Sequence, residues 1–491
     1  MNKIFKLTNC TAVLLLLVLS SCLKQNLGDY KPGSINDLST SNSLKDAYTV
    51  NVDDILKLDG SVQGNGTITY QWSYYSVKDN AGVKKVVGNS AQLELKIDME
   101  TGPYFLVLET ADTKTGVKGY KKIALTVKRF TSEGWLLLTW KDNKTNLSIV
   151  SSDNDVLKDF LRPSNDYSLN FKPQKLICIN DWDKNSQPIV ITTEQPNVYF
   201  LNHETFDILG DGDGVFPAGA NLTLNHYGAD IYNNSFYMWD KDGLVYDVSR
   251  KNPIDFPAGF DQPLTGNYKA GKNMVPVSSM FPIQAVFYDE LHKGFIYQKM
   301  GEKAMVPFDV KPAKAAFDMN NFTDEVKFAG NGAADMSYVV GKNPAGDYRL
   351  YTMALNGALD TYPALAVDVL GFKDGGKPVF FTLSGKLPVL YYIVNNALYV
   401  YKISEKQSTL LYSFPVGESA AALSMLSGSP WFTAKDHPGV ENRLGVAMNS
   451  GTEGIFYTFE LGSTGDLKPG TNRNRIGGFD PILDIAYKMM K

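Results

Sequence analysis

The chain has 491 residues, of which 44% are hydrophobic and 20% are charged, and this composition excludes a largely disordered protein. The formal net charge of −4 becomes −6 once Lys3 and Lys6 leave with residues 1–21. No basic face is implied, so we expect no nucleic-acid partner. The 27 tyrosines and 26 phenylalanines favour strands over helices.

Residues 1–21 are typical of an export signal. Lys3 and Lys6 give a charged start, and residues 12–19 (AVLLLLVL) form an apolar core too short to span a bilayer. The segment LSSC that ends at Cys22 places small residues before a cysteine, as in the bacterial lipoprotein cleavage box. We therefore predict that Cys22 becomes the lipidated first residue; a plain secretory signal is the alternative. The acyl chains would anchor the protein to a membrane.

The region after Cys22 reads as a tether and then a small domain. Residues 22–46 are rich in Ser, Asn, Asp and Gly, which is typical of a solvated linker. Cys10 leaves with the signal, so Cys178 has no partner for a disulfide and is expected to pack as a small hydrophobe.

Residues 47–129 are predicted to form an immunoglobulin-like β-sandwich. Several short segments alternate apolar and polar residues, with turn residues between them. In one of these segments Tyr70, Trp72 and Tyr74 share a face. A ligand platform is one interpretation of Trp72, but a tryptophan in the middle of a strand is more often a core residue.

The same region resembles the PKD-like family of outer-membrane lipoproteins. The resemblance is carried by the Cys22 segment and by residues 28–30 (GDY), 70–72 (YQW), 102–104 (GPY), 111–116 (ADTKTG) and 134–138 (GWLLL). It implies an outer-membrane location, with a TonB-dependent transporter and a SusD-like lipoprotein of a nutrient-uptake system as partners. It supplies no catalytic residues. The resemblance implies the cell surface, but residues 23–26 (LKQN) lack the acidic cluster that often follows the lipid cysteine, so the periplasmic face stays open.

Residues 130–491 are predicted to form a β-propeller. A hairpin pattern of an inner strand, a turn and an aromatic strand recurs about every 50 residues. The predicted inner strands are residues 176–179, 229–232, 285–288, 335–339, 389–392 and 444–447. Residues 481–487 (PILDIAY) form one more inner strand without a hairpin, and the hairpin at Trp135 lacks an inner strand. We therefore predict that the C-terminal strand completes the first blade of seven; six or eight blades are the alternatives.

Candidate catalytic and metal-binding residues are few. His203, His226, His292 and His437 lie in different repeats without metal-ligand spacing, and no hydrolase, phosphate-loop or dinucleotide motif stands in its proper context. Residues 181–185 (DWDKN) and 210–214 (GDGDG) are the two candidate calcium loops. The first lacks the glycine and the bidentate glutamate that such a loop requires, so a solvated turn is the better interpretation of each. We predict no catalytic residue, metal or cofactor.

Two tryptophans are the predicted ligand-binding residues. Trp140 and Trp239 both end the second strand of a predicted blade. Turns at that position share a face with the blade-to-blade connections, which are long here and twice contain FPAG, at residues 216–219 and 256–259. Loops on a rigid scaffold commonly carry binding residues. The alternative is that both indoles pack between blades.

Two functions follow from these observations. The first is a lipid-anchored, non-catalytic binding or scaffolding protein of a nutrient-uptake system, with a glycan or peptide ligand. The second is a propeller-type hydrolase or lyase acting on glycans or peptides. Because propellers support both, the fold alone does not choose between them.

Overall fold

A computed structural model describes residue 38 and residues 44–489, with gaps. The gaps are residues 63–66, 78–82, 130, 132, 152–153, 162–168, 179–188, 195–197, 219, 221–223, 231–234, 250–258, 278–281, 356–360, 373–375, 426–441 and 471–473. Cys22 and the tether up to residue 37 therefore lie outside the described residues. Among the residues that are described, no helix has the length and apolar character needed to cross a membrane.

The chain divides into two compact units, Met1–Phe130 and Thr131–Lys491. Where it is described, the first unit contains seven strands: β1 (Ala47–Asn51), β2 (Ile55–Asp59), β3 (Ile68–Ser76), β4 (Lys85–Gly88), β5 (Gln92–Lys96), β6 (Gly102–Asp112) and β7 (Lys118–Lys128). One sheet has the order β1-β7-β6-β3-β4, and β2 pairs with β5 in a second sheet. Only the β1–β7 pair is parallel among the described strands of this unit. The sandwich predicted from the alternating pattern is present.

Trp72 is the centre of the sandwich core. Its side chain is fully buried among leucines of both sheets, and its indole N–H donates to the carbonyl of Ser90 at 3.0 Å. Gly60 lies against the ring, where a Cβ atom would approach the indole to 2.6 Å. The core interpretation of Trp72 is therefore the correct one, because the strand places it between the sheets.

The second unit is built from seven successive antiparallel sheets within its described residues. The first sheet contains β8 (Gly134–Lys141), β9 (Lys144–Ser151) and β10 (Val156–Leu157). The second contains β11 (Pro173–Cys178), β12 (Ile189–Thr193), β13 (Val198–Leu201) and β14 (Ile208–Asp211), and it is followed by the short helix α1 (Gly212–Val215). The third contains β15 (Leu224–Asp230), β16 (Ser235–Asp240) and β17 (Val245–Ser249).

The next three sheets have four strands each. The fourth sheet contains β18 (Ala270–Val275), β19 (Ile283–Asp289), β20 (Gly294–Lys299) and β21 (Met305–Pro307). The fifth contains β22 (Glu325–Asn331), β23 (Ser337–Lys342), β24 (Tyr348–Met353) and β25 (Ala364–Leu370), with a 3-10 turn at Ala333–Asp335. The sixth contains β26 (Phe380–Leu383), β27 (Val389–Val394), β28 (Ala397–Lys402) and β29 (Gln407–Ser413).

The last strands of the chain finish the seventh sheet and complete the first. The seventh sheet contains β30 (Ser419–Met425), β31 (Arg443–Ser450), β32 (Glu453–Glu460) and β33 (Asn474–Phe479). The final strand, β34 (Ile482–Lys488), pairs with β8, so the first sheet has the order β34-β8-β9-β10. β34 also contacts the first strands of the second and seventh sheets, β11 and β30. The pairing predicted for the C-terminal strand is therefore present, and the fold is a β-propeller; seven blades as the size of the ring stays a prediction.

Four of the predicted inner strands are instead second strands. The segments chosen near residues 285, 335, 389 and 444 correspond to β19, β23, β27 and β31, which are preceded in their sheets by β18, β22, β26 and β30. A second strand is paired on both edges and packed on both faces, so all six residues of β27 are buried. The first strand β22 alternates between exposed and half-buried residues over most of its length. A search for strong apolar runs therefore finds second strands before first ones.

Candidate binding face of the propeller

Ion pairs mark one face of the propeller unit. In three sheets, a residue one or two places before the first strand pairs with a residue at the end of the second strand. These pairs are Asp480 with Lys141 at 2.9 Å, Lys172 with Glu194 at 2.6 Å, and Lys269 with Glu290 at 3.3 Å. The turns after second strands and the connections entering first strands therefore share a face, as predicted. We call it the connection face.

A buried carboxylate lies on this face in the fifth sheet. Asp324 directly precedes β22 and is 2% exposed. The Tyr351 hydroxyl donates to it at 2.6 Å, and an Arg349 nitrogen lies 3.7 Å away. Burial and the bond to Asp324 raise the pKa of Tyr351 to about 12. The carboxylate is thus held by one hydroxyl and one cation, which offsets the cost of burying its charge.

The seventh sheet repeats the arrangement. Glu418 directly precedes β30, and it accepts a hydrogen bond from the Tyr457 hydroxyl at 2.8 Å and one from Arg475 at 2.9 Å. Arg475 also donates to the Tyr457 oxygen at 3.0 Å, so the three side chains close a triangle. Burial, the largest cause, raises the pKa of Tyr457. A tyrosine that is fully buried and resists deprotonation is suited to holding the carboxylate rather than to attacking a substrate.

Trp140 is a partly exposed residue of the connection face. It is the last but one residue of β8, and its backbone N–H donates to the Pro481 carbonyl at 3.0 Å. Lys141 follows it directly, and the bond to Asp480 raises the pKa of Lys141. An indole beside a paired lysine and aspartate offers a ligand both an apolar surface and polar partners.

A second aromatic residue, Phe171, is linked to the cross-strand partner of Trp140. Thr145 is the cross-strand partner of Trp140, and its hydroxyl donates to the carbonyl of Phe171 in the connection to β11. The Phe171 ring is half-buried and stacks on Tyr199 with 6.1 Å between ring centres. Sequence analysis missed Phe171 because it lies in a connection with no periodic pattern. The only signal in the sequence was its position two residues before an apolar strand.

Trp239 occupies the same position in its strand as Trp140 but is fully buried. Its indole N–H donates to the Gly271 carbonyl at 2.9 Å, and its ring meets Phe287 edge-on at 5.2 Å. Both partners belong to the fourth sheet. The packing alternative therefore describes Trp239, and the residue is removed from the predicted ligand contacts. The cause is the neighbouring sheet, whose glycine and phenylalanine the sequence pattern of β16 could not reveal.

Buried aspartates support the turns of this face. Asp240 ends β16 and accepts hydrogen bonds from the backbone N–H groups of Asp242 and Leu244. Burial, the largest cause, raises the pKa of Asp240. Asp289 ends β19 and accepts bonds from the N–H groups of Leu291 and Lys269. These carboxylates replace water as acceptors for turn donors and hold the turns rigid.

Asp289 also holds a histidine. Its Oδ2 lies 2.5 Å from Nδ1 of His292, whose side chain is 55% exposed whereas the Asp289 side chain is fully buried. The geometry fixes the imidazole ring and leaves Nε2 as the nitrogen that a bound molecule would meet. The sequence pattern predicts no special role for His292, so this pairing is a feature that sequence analysis missed.

The two candidate calcium loops have different outcomes. Residues 181–185 lie outside the described residues. In the other segment, Asp211 caps α1 by accepting a hydrogen bond from the N–H of Gly214 at 3.4 Å. Across the part of the chain that the structure describes, no three His, Cys, Asp or Glu side chains gather as metal ligands would.

Cys178 and Lys488 lie near each other at the ends of β11 and β34, the strands of the neighbouring second and first sheets. Burial raises the pKa of the Cys178 thiol to about 12, which disfavours the reactive thiolate. Burial likewise lowers the pKa of Lys488 to about 8. The lysine ammonium lies 5.7 Å from the centre of the Phe206 ring. Packing as a small hydrophobe is consistent with this environment of Cys178.

Comparisons with known proteins return several solved structures and one family. Solved structures with similar folds include a quinonprotein alcohol dehydrogenase-like protein from Bacteroides thetaiotaomicron, with 12% identity, 91% of this chain and 97% of that chain covered, and a TM-score of 0.40. The β-propeller domain of Cps50 (Swd1) from Myceliophteria thermophila has 9% identity, coverage of 63% and 90%, and a TM-score of 0.39. The WD40 domain of SCAP from fission yeast has 8% identity, coverage of 63% and 75%, and a TM-score of 0.36.

A comparison with curated protein sequences finds no significant match. A protein-family match covers the sandwich and the strands β8, β9 and β10 of the first sheet. Residues 22–173 match the model of the PKD-like family.

Proposed function

We propose that this protein is a lipid-anchored, non-catalytic binding or scaffolding lipoprotein of the outer membrane. It accompanies a TonB-dependent transporter and a SusD-like lipoprotein in the uptake of a glycan or peptide nutrient. Cys22 carries the lipid anchor, and the chain faces the cell surface. The connection face of the propeller binds the ligand or partner. The match of residues 22–173 to the PKD-like family supports the sandwich part of this assignment.

The observation that carries the proposal is the partly exposed Trp140, which lies on the connection face beside the ion pair of Lys141 with Asp480. An indole buries a large area at little cost in side-chain entropy, and aromatic residues dominate binding energy at many interfaces. The buried carboxylates Asp324 and Glu418 are each held by a tyrosine and an arginine. This favours a rigid recognition surface over a pair of carboxylates free for acid–base chemistry.

Co-purification tests the proposal. The tagged full-length protein is isolated from outer membranes with mild detergent, and the transporter and SusD-like lipoprotein are identified by mass spectrometry. Trp140→Ala is expected to reduce their recovery, corresponding to a loss of about 1–3 kcal/mol in binding free energy. Leu410→Ala is the matched control, since Leu410 is 51% exposed on the outer strand β29. Equal recovery with both variants would contradict a role for Trp140.

The anchor has a separate test. Cys22→Ala is expected to release the protein from membranes during a high-salt wash, because the acyl chains supply the binding energy. Retention of the Cys22→Ala variant in the membrane fraction would contradict lipidation. The wild-type chain is the control in the same wash.

A hydrolase or lyase is the second candidate, and the His292–Asp289 pair is the observation that favours it. A histidine held by a buried carboxylate at 2.5 Å is the arrangement used by general bases. A turnover screen on glycan and peptide pools tests this candidate. Activity that disappears in His292→Ala but persists in the Trp140→Ala variant would support an enzyme; no turnover with wild-type protein would leave the binding role.

A further inference from the structure

The outward face of the five-stranded sheet in the first unit carries an aromatic pair. Tyr75 on β3 and Phe105 on β6 are direct cross-strand partners, and their ring centres lie 5.5 Å apart. Both side chains are half-buried, and neither belongs to the core that contains Trp72. The rings therefore form a small apolar platform on the solvent side of the sheet.

A second aromatic residue lies further along the same face. The cross-strand rows run from Tyr75 and Phe105, through Val107 and Lys122, to Glu109 and Tyr120. Tyr120 is 64% exposed. Residues on one face of a strand repeat at about 6.8 Å, so two rows separate the ring at Tyr120 from the Phe105 platform by roughly 14 Å. The two aromatic sites define a track along the strands.

Lysines line the track between and beyond the aromatic sites. The Lys122 ammonium lies 3.5 Å from the centre of the Phe105 ring, over the platform. Lys118 and Lys84 both approach Glu109, at 2.6 Å and 3.6 Å. Two lysines thus share the Glu109 carboxylate, and Lys122 adds a third positive charge, so these residues together carry a net positive charge.

The other sheet of the same unit provides an internal comparison. On the β2–β5 sheet and its edge, Lys57 pairs with Glu94 at 3.2 Å and Lys96 pairs with Asp53 at 3.8 Å. Each lysine there has its own carboxylate. The excess of lysine is a property of the outward face of the five-stranded sheet rather than of the unit as a whole.

We propose that this track binds an acidic polysaccharide, meaning a chain of sugars that bear carboxylate or sulfate groups. Sugar rings would stack on the Tyr75–Phe105 platform and on Tyr120, because their C–H faces pack well against aromatic rings. Lys122 would turn from the Phe105 ring towards an acidic group of the bound chain, and Lys118 and Lys84 would attract others. The extended, charged ligand matches the length and the sign of the track. This proposal does not depend on the role of the connection face.

Affinity electrophoresis and titration calorimetry with the full chain test the proposal. The probes are polygalacturonate for carboxylate, chondroitin sulfate for sulfate, and dextran as a neutral polymer. Lys122→Glu and Tyr75→Ala are each expected to weaken binding of an acidic probe by about tenfold or more. Lys57→Glu is the charge-matched control, because Lys57 is 68% exposed on the other sheet. Phe105→Leu, which keeps an apolar side chain, replaces any platform variant that fails to fold by circular dichroism.

The outcomes distinguish a specific binding track from general charge attraction. Binding of an acidic probe that falls in Lys122→Glu and Tyr75→Ala but not in Lys57→Glu supports the track, and the better probe identifies the acidic group. Equal losses in Lys57→Glu would show general charge attraction and overturn the proposal. Equal binding of dextran, or no binding of either acidic probe, would also overturn it. Lys122-dependent binding to phosphatidylglycerol vesicles with no polymer binding would assign the track to a membrane surface instead.

Discussion

The first and third sheets of the propeller place a tryptophan at the same position with opposite results. Trp140 and Trp239 are each the last but one residue of the second strand. In the third sheet the indole is enclosed by Gly271 and Phe287 of the next sheet, whereas in the first sheet it stays partly exposed. Equivalent positions in a repeat thus acquire different roles from what the adjacent sheet supplies. Two tryptophan substitutions test this difference, and two changes in β34 test the first sheet itself.

Removal of the closing strand should have the largest effect. A chain ending at residue 477 loses β34 together with the last two residues of β33, which leaves the inner edge of β8 unpaired and exposes its buried leucines. We expect loss of a single cooperative melting transition in the second unit, because an open apolar edge favours association with other chains. Calorimetry and light scattering measure this. A truncated chain that melts as cooperatively and at the same temperature as the full chain would contradict the importance of closure.

Trp239→Ala should have the next largest effect. Truncation of a buried aromatic residue leaves a cavity and removes the hydrogen bond to Gly271, so we expect a loss of about 3–5 kcal/mol in unfolding free energy. Urea denaturation followed by far-UV circular dichroism provides the measurement. Trp239→Phe is the control, since it retains most of the apolar contact. A loss below about 1 kcal/mol would mean that the indole is not a core residue.

The buried Lys488 of β34 is expected to make the unfolding free energy depend on pH. Burial lowers its pKa from 10.5 to about 8, so the unfolded chain binds more protons between about pH 8 and 10.5. The contribution of Lys488 to the unfolding free energy should therefore rise with pH across that window, and its full cost of about 3 kcal/mol should apply below pH 8.

Lys488→Met should remove this cost. The variant is expected to be more stable than the wild type at pH 7, and the difference should shrink towards pH 10.5. Lys468→Met is the control, because Lys468 is 56% exposed. Denaturation midpoints measured from pH 7 to pH 10.5 give the difference between wild type and variant. A difference that stays constant with pH would contradict a lowered lysine pKa.

Trp140→Ala should have the smallest effect on stability. A partly exposed side chain loses little packing on truncation, so we expect a change below about 1 kcal/mol. Measured beside Trp239→Ala in the same urea titration, it gives the sharpest form of the comparison. Equal losses in the two variants would show that Trp140 is also a core residue and would end its assignment to a binding site.

The architecture was accessible from the sequence because it depends on local patterns. Alternating apolar residues predicted the sandwich, and the unpaired strand at residues 481–487 predicted the closure that β34 and β8 make. Strand order within a blade was less accessible, since β18, β22, β26 and β30 are weaker apolar runs than the second strands beside them. Periodicity records burial, and second strands such as β27 are more completely buried than first strands such as β22.

The candidate site was less accessible because its members meet only in three dimensions. The position of Trp140 at the end of a strand could be predicted from the turn that follows it. The neighbouring ion pair of Lys141 with Asp480 could not, because these residues lie near opposite ends of the amino-acid sequence of the propeller unit. Phe171 and the His292–Asp289 pair lie in connections and turns, where no repeat marks them. The burial of Trp239 depends on a glycine and a phenylalanine of another sheet, so its own strand holds no record of it.

The pairing of β34 with β8 also sets a time at which the propeller can be completed. The Tyr487 hydroxyl donates to Glu133 across 354 positions of the chain. At a synthesis rate of about 5–20 residues per second, roughly 20–70 s pass between the emergence of these two strands. During that interval the apolar strand β8 has no inner neighbour. An edge of β8 therefore stays open until the last strand is made, and this interval of synthesis is the stage at which the second unit is most exposed to misassembly.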